Sequence, residues 1–335
     1  MTKTIGVIGA GAWGTALAQV LSTGGKNVTL WAREEDLYND LKEKQENTMF
    51  LPGVPLHEDI KFSNDLSDIT KNSEILLMVS PAQHVRTMLE TMKSDLDKNT
   101  PVVICSKGVE LKTGLLLSRV AEEIIPTSPI AVLSGPSFAS ELARGMPSAV
   151  TISARQQPLR RGLQSDLGVK HFRPYVTDDI IGTQLGGAIK NVIAIACGIV
   201  MGRKMGESAR AALLTRGVAE IGRLSIAMGG RRDTLLGMCG VGDLTLTCTS
   251  MQSRNYSLGM ALGEGKTLDD ILKSRNAVTE GVYTAEATLA LAKKNAVDMP
   301  ITAAVAKALN GDLSIEEAIE EMLNRPFKYE MKTKS

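Results

Sequence analysis

The segment Thr4-Ile5-Gly6-Val7-Ile8 runs straight into Gly9-Ala10-Gly11-Ala12-Trp13-Gly14. No other feature of the chain constrains its fold as much as this junction. The first five residues read as a buried strand. Ala12 to Leu21 reads as a helix, with Ala16, Leu17, Val20 and Leu21 on one face. Gly9, Gly11 and Gly14 therefore stand at a strand-to-helix turn with G-x-G-x-x-G spacing. Gly9 permits the tight turn, Gly11 lets a pyrophosphate approach the backbone, and Gly14 lets helix and strand pack closely. The helix N-terminus adds free N–H groups and partial positive charge for the anion. The turn predicts a dinucleotide-binding unit.

The second strand, Asn27 to Trp31, leads to the position that reads the ribose. A strict NAD site places an acidic residue there. Here Arg33 comes first, followed by Glu34 and Glu35. Arg33 suits a 2′-phosphate or the face of an adenine, or it is a solvated charge after a strand. The pattern favours tolerance of NADP and leaves NAD open.

Strand and helix signals then alternate. Ile75–Val79, Val102–Cys105, Ile130–Leu133 and Ala149–Ile152 read as strands, with helical patterns around His84–Met92 and Leu115–Ile125. After about residue 178 the strand signal fades. Ile180–Val200 reads as one long helix, apolar on all sides. Helical segments follow at 209–228, 257–262, 267–272, 284–294, 301–309 and 315–323. A chain of 335 residues suits two domains. The expected fold is a Rossmann-type α/β N-terminal domain with a mostly parallel sheet, residues 1–178, followed by an all-α C-terminal domain, residues 179–335.

Several classes are disfavoured. A net charge of +1 argues against a general nucleic-acid binder. Cys105, Cys197, Cys239 and Cys248 lie far apart, as do His57, His84 and His171, so no metal site is expected and the cysteines read as buried thiols. The N-terminal apolar run is too short for a secretory signal. The longest apolar stretch, Val192 to Met201, falls short of the roughly 20 residues that span a bilayer. A cytoplasmic protein with no membrane span is expected.

Ligands in open α/β sheets bind beyond the carboxyl ends of the strands. Lys107 stands after one such strand, and Gly135 and Ser137 after another. Lys190 lies in GGAIKNVIAIACG, and a lysine inside an apolar helix must find a partner or shed its charge. It is either a general acid/base of lowered pKa or a snorkelling residue at a helix edge. Asn191 beside it bonds a substrate oxygen or satisfies backbone. Were Lys107 near Lys190, each cation would depress the other's pKa. Asp243, in the glycine-rich loop GMCGVGDLTLTCTS, orients a lysine, binds a hydroxyl, or turns the chain. Ser253-Arg254-Asn255 before a short helix suits an oxyanion or phosphate clamp, or a plain N-cap with an exposed arginine.

Together GAGAWGTALA, SKGVE, SGPSFASELARGMPSAV, GAIKNVIAIACGI, GVGDLTLTCTSMQSRNYSLG and VTEGVYTA resemble the bacterial NAD(P)-dependent glycerol-3-phosphate dehydrogenases. The resemblance runs from residue 6 to 285. It implies reduction of dihydroxyacetone phosphate to sn-glycerol 3-phosphate with NADP(H) or NAD(H), reversibly, feeding glycerophospholipid synthesis. Lys190 matches the proton donor/acceptor, and Lys107 a residue near both substrate and cofactor. Gly135, Ser137, Asp243, Ser253, Arg254 and Asn255 match substrate contacts. Ala12, Trp13, Arg33, Ala139, Arg254, Val278 and Glu280 match cofactor contacts. Family members often dimerise, so a homodimer is expected. The competing readings are a dehydrogenase of the β-hydroxy-acid or ketopantoate type and a non-catalytic nucleotide sensor.

Overall fold

The structure, a computed structural model, describes residues 2–274, 279–327 and 329. Among the described residues there is one sheet of eight strands: β1 (Thr4–Ile8), β2 (Asn27–Trp31), β3 (Lys61–Ser63), β4 (Ile75–Met78), β5 (Val102–Ile104), β6 (Ile130–Ser134), β7 (Ser148–Ser153) and β8 (Phe172–Thr177). Their order is β3-β2-β1-β4-β5-β6-β7-β8. All neighbours are parallel except β6 and β7. From β1 the chain winds outward to β2 and β3, then returns to place β4 on the other side of β1. The order thus reverses at β1/β4, the crevice where ligands of such sheets bind.

Successive side chains of a strand face opposite ways, and both faces of this sheet are covered. Ile5, Val7, Leu30, Leu77 and Val103 pack with Leu17 and Leu21 of the helix Ala12–Thr23. Ile8, Leu76, Met78 and Ile104 pack on the other side with Leu89 and Leu117. Helix burial on both faces explains why β4 and β5 are continuous apolar runs.

β8 ends at Thr177, and the helix Ile180–Gly202 follows, capped by the Asp179 carboxylate, which accepts from Gly182 N at 2.9 Å. This central helix is long and apolar enough, by length and composition, to cross a membrane, yet it is buried inside the fold. Around it lie the helices Glu207–Ala227, Asp243–Thr249, Arg254–Gly263 and Glu280–Lys294. Gly198 and Gly202 face Gly259 and Gly263, and a Cβ on any of the four would strike the opposing backbone. Glycine here sets how closely the two helices cross.

Two strands go beyond the sequence expectation. β3 is three residues long, and β8 carries Pro174 and alternates buried with exposed positions. Both lie at sheet edges, where short strands and proline are tolerated. The expected glycine-rich loop around Asp243 is instead a π-turn, Met238–Gly242, leading directly into the helix Asp243–Thr249. Gly240 serves close approach: a Cβ on it would overlap the Leu235 backbone.

Candidate active site

Gly9 adopts φ +119°, a conformation that excludes ordinary side chains, and its N–H donates to Trp31 O at 3.2 Å, holding the turn against β2. A Cβ on Gly14 would overlap the Gly9 carbonyl oxygen. Gly11 differs: its φ is −69°, and a Cβ there would meet nothing within 4 Å. The chain itself does not require glycine at this point. What a Cβ would invade is the space above the first turn of the helix Ala12–Thr23, where helical N–H groups lack intrahelical partners. That cradle fits a pyrophosphate. Asn47, fully buried, fixes the turn from the side: Nδ2 donates to Ala10 O and Thr15 Oγ1, both at 2.8 Å.

Trp13, in the first helical turn, lies beneath Lys107, whose Nζ stands 5.9 Å from the ring centroid. Arg33 follows β2, is exposed, and donates through Nε and Nη2 to Glu34 Oε1 at 2.9 and 2.6 Å. Ala139 opens the helix Ala139–Ala143, which packs beside the helix Ala12–Thr23.

The central helix brings Lys190 to the carboxyl end of the sheet. Gly187 approaches Ser134 Oγ at the end of β6, and Gly186 approaches the Cys239 carbonyl of the π-turn. That approach delivers Asp243, fully buried, to Lys190. Lys190 Nζ donates to Asp243 Oδ1 and, at 2.9 Å, to Thr247 Oγ1. Lys107 Nζ donates to Asp243 Oδ2 at 2.8 Å and to Gly135 O at 3.2 Å. One carboxylate thus holds two ammonium groups. Burial pulls the Lys190 pKa down to about 7; Asp243 opposes this and Lys107 adds to it. A group so poised gives or takes a proton near neutral pH.

Asn191 is buried beside Lys190. Ser253 caps the helix Arg254–Gly263, its Oγ accepting from Tyr256 N at 3.2 Å. Asn255 Oδ1 accepts from Gly281 N at 3.0 Å, so its amide nitrogen is what it can offer a ligand. The helix begins one turn earlier than the periodicity suggested, and Arg254 is its first residue and keeps solvent exposure. Burial lowers the Arg254 pKa while Glu280 counters it; burial raises that of Glu280, whose Oε1 accepts from Ala82 N at 3.3 Å. Ser137 Oγ lies 3.0 Å from Ser148 Oγ, on the loop after β6. Val278 lies outside the described residues.

Residues 4–159 match the family model of the NAD-dependent glycerol-3-phosphate dehydrogenase N-terminus, and residues 179–320 match that of its C-terminus. This chain belongs to the NAD-dependent glycerol-3-phosphate dehydrogenase family. It is 52% identical to the glycerol-3-phosphate dehydrogenase (NAD(P)+) of Parvibaculum lavamentivorans, over 98% of each chain. To that of Caulobacter vibrioides it is 49% identical, over 98% of this chain and 99% of the relative. A glycerol-3-phosphate dehydrogenase crystal structure from Coxiella burnetii superposes with a TM-score of 0.93 at 39% identity, covering 97% of this chain and 99% of that one. Likeness to a ketopantoate reductase from Ralstonia eutropha, TM-score 0.59 at 13% identity, reflects the shared fold alone.

In this glycerol-3-phosphate dehydrogenase family member, sequence reasoning passed over two residues that shape the site. Thr247 carried a signal: four residues after Asp243, it lies one helical turn on, and its hydroxyl donates to Asp243 O at 2.6 Å. Asn47 carried none, because its partners are 37 and 32 positions away.

Proposed function

We propose that the chain reduces dihydroxyacetone phosphate to sn-glycerol 3-phosphate, reversibly, with NADPH or NADH, supplying glycerophospholipid synthesis. The observation that carries this reading is the Lys190–Asp243–Lys107 cluster at the carboxyl edge of the sheet, in which Lys190 and Asp243 are buried and Lys107 is half-buried. The nicotinamide, when bound, supplies or takes up the hydride at the ketone carbon. Lys190, as ammonium, gives its proton to the ketone oxygen as negative charge builds there, and Asp243 and Thr247 aim it. Lys107 and Asn191 stabilise that oxygen. Gly135, Ser137, Ser253, Arg254 and Asn255 hold the substrate, Arg254 taking the phosphate, and this remote binding positions the reacting carbon.

The turn Gly9–Gly14, with Ala12, Trp13, Arg33, Lys107, Ala139, Arg254 and Glu280, holds the dinucleotide, and Val278 joins them by family resemblance. Residues 1–178 serve as the dinucleotide domain and 179–335 as the substrate domain. A cytoplasmic homodimer goes with the same reading; sedimentation of the purified protein tests the dimer.

The deciding experiment supplies dihydroxyacetone phosphate with NADPH and with NADH, against a panel of 2-keto acids, and follows nicotinamide oxidation. Turnover on the phosphorylated ketone supports the reading. Preference for a keto acid, or cofactor binding without turnover, defeats it.

A further inference from the structure

Lys107 meets a demanding target from an irregular segment. β5 ends at Ile104, and Lys107 stands three residues further, yet its Nζ must reach a buried carboxylate. The segment is tied to β4 by Cys105 N, which donates to Met78 O, and folds back on itself through the Val109–Leu116 bridge. Further bonds around Lys107 come from the stretch after β4, residues 80–86.

They bracket Lys107 on both sides. Before it, Ser106 Oγ donates to Ser80 O at 2.5 Å. After it, Gly108 lies so close to Ala82 that a Cβ would come within 2.5 Å of the alanine methyl. Gln83 then binds the segment as a neighbouring strand would: Nε2 donates to Val109 O and Oε1 accepts from Leu111 N, both at 2.9 Å. Finally, Arg86 makes a bidentate pair with Glu110, Nε to Oε1 at 2.8 Å and Nη2 to Oε2 at 2.9 Å. Glu110 is buried, and Thr113 Oγ1 also donates to it. Arg86 Nη2 reaches Glu123 as well, at 3.0 Å, so this guanidinium is committed to two carboxylates. Bidentate geometry fixes direction as well as distance.

We propose that Gln83 and the Arg86–Glu110 pair are positioning residues that hold the Lys107 ammonium on Asp243. The proposal rests on the reading that Lys107 and Lys190 serve the reduction. None of the three touches Lys190; they act through the backbone of residues 106–111. A misplacement of about 1 Å is enough to cost on the order of a hundredfold in rate.

The consequence is specific. Two charged groups act on Lys190: Asp243, from the helix Asp243–Thr249, and Lys107, from the segment after β5. Glu280 and Arg254, on the other packed helices, act on each other. The Cys239 and Cys248 thiols are raised by burial and stay neutral. When Lys107 swings away, Lys190 loses a nearby cation and gains the whole of Asp243. Both changes raise its pKa.

The test compares Glu110→Gln, Gln83→Ala and Lys107→Met with the wild type in full-length enzyme, measuring kcat for dihydroxyacetone phosphate reduction across pH. Protonated Lys190 is the acid in this direction, so activity falls on the alkaline side. Glu110→Gln and Gln83→Ala are expected to lower kcat by about tenfold or more and to move the alkaline limb to higher pH, as Lys107→Met does. A change in fold stability alone would lower amplitude without moving the limb. Gln83→Ala removes only neutral hydrogen bonds and keeps the test open if Glu110→Gln folds poorly. Should Lys107→Met be impaired while both other variants keep the wild-type limb, the proposal fails. Should Lys107→Met behave as wild type, the catalytic reading fails and this one with it.

Discussion

Replacing Asp243 with asparagine tests the centre of the site. The wild-type carboxylate is fully buried and gives one oxygen to each of two lysines. An amide has one acceptor oxygen and turns N–H toward one of the ammoniums. Orphaning a buried ion typically costs about 3–5 kcal/mol. The loss here should fall below that range, because Lys190, already pulled down to about 7, can shed its proton instead of standing unpaired. Turnover carries the damage. Asp243 raises the Lys190 pKa in the wild type, so its loss drives that pKa lower and leaves the lysine neutral at physiological pH. Losing a positioned general acid costs about 10²–10⁴ in kcat. The alkaline limb of the reduction should move to lower pH, opposite to the shift expected for Glu110→Gln. Nicotinamide oxidation across pH, paired with urea melts of the same samples, reads both quantities. A variant with wild-type kcat and an unmoved limb would refute the assignment of Lys190 as the acid and Asp243 as its partner.

Other perturbations separate function from stability. Lys190→Met should lower kcat by about 10²–10⁴ without lowering Tm, since it relieves a buried charge while Asp243 keeps Lys107; calorimetry beside the rate assay checks it. Gly11→Ala should weaken dinucleotide binding by about tenfold with Tm unchanged, because the new Cβ meets no protein atom. Gly14→Ala should instead destabilise by about 1–3 kcal/mol in a denaturant melt, since its Cβ strikes the Gly9 carbonyl. Glu220, buried, accepts from Ile301 N at 2.7 Å and Thr302 N at 3.3 Å at the start of the helix Pro300–Asn310. Glu220→Ala should cost about 1–3 kcal/mol in urea melts and leave kcat per folded molecule unchanged.

How far the fold could be read from the chain depended on where each element lies. β4 and β5 are buried on both faces, so each is an unbroken apolar run that no surface helix imitates, and β1 and β6 depart from this only at their ends. β8 was missed because an edge strand needs neither continuous apolarity nor an N–H at every position, and Pro174 reads as a breaker when its place in the sheet is unknown. The helix Asp243–Thr249 was hidden in the same way. Two glycines just before it suggest a loop, but they are spent on contact with the Leu235 backbone and on a tightened turn.

The site divides along a different line. Lys190 announced itself because a cation inside an apolar helix is costly wherever the helix goes, so its environment could be inferred without knowing its neighbours. Lys107, Asp243 and Arg254 carried no such intrinsic conflict. Each is an ordinary residue for a loop or a helix end, so its position made it a candidate beside an equally bland reading, and the family motifs favoured the functional one. The residues that hold them were less visible still. Gln83 and Arg86 bond a segment about 24 to 28 positions away, and Asn47 grips a turn that precedes it by 37. Periodicity and local motifs report what a residue does to its own turn or strand. A side chain that fixes another segment's backbone leaves its trace only in the folded pairing. That is why the acid was readable from sequence, while the bonds that aim it had to be found in three dimensions.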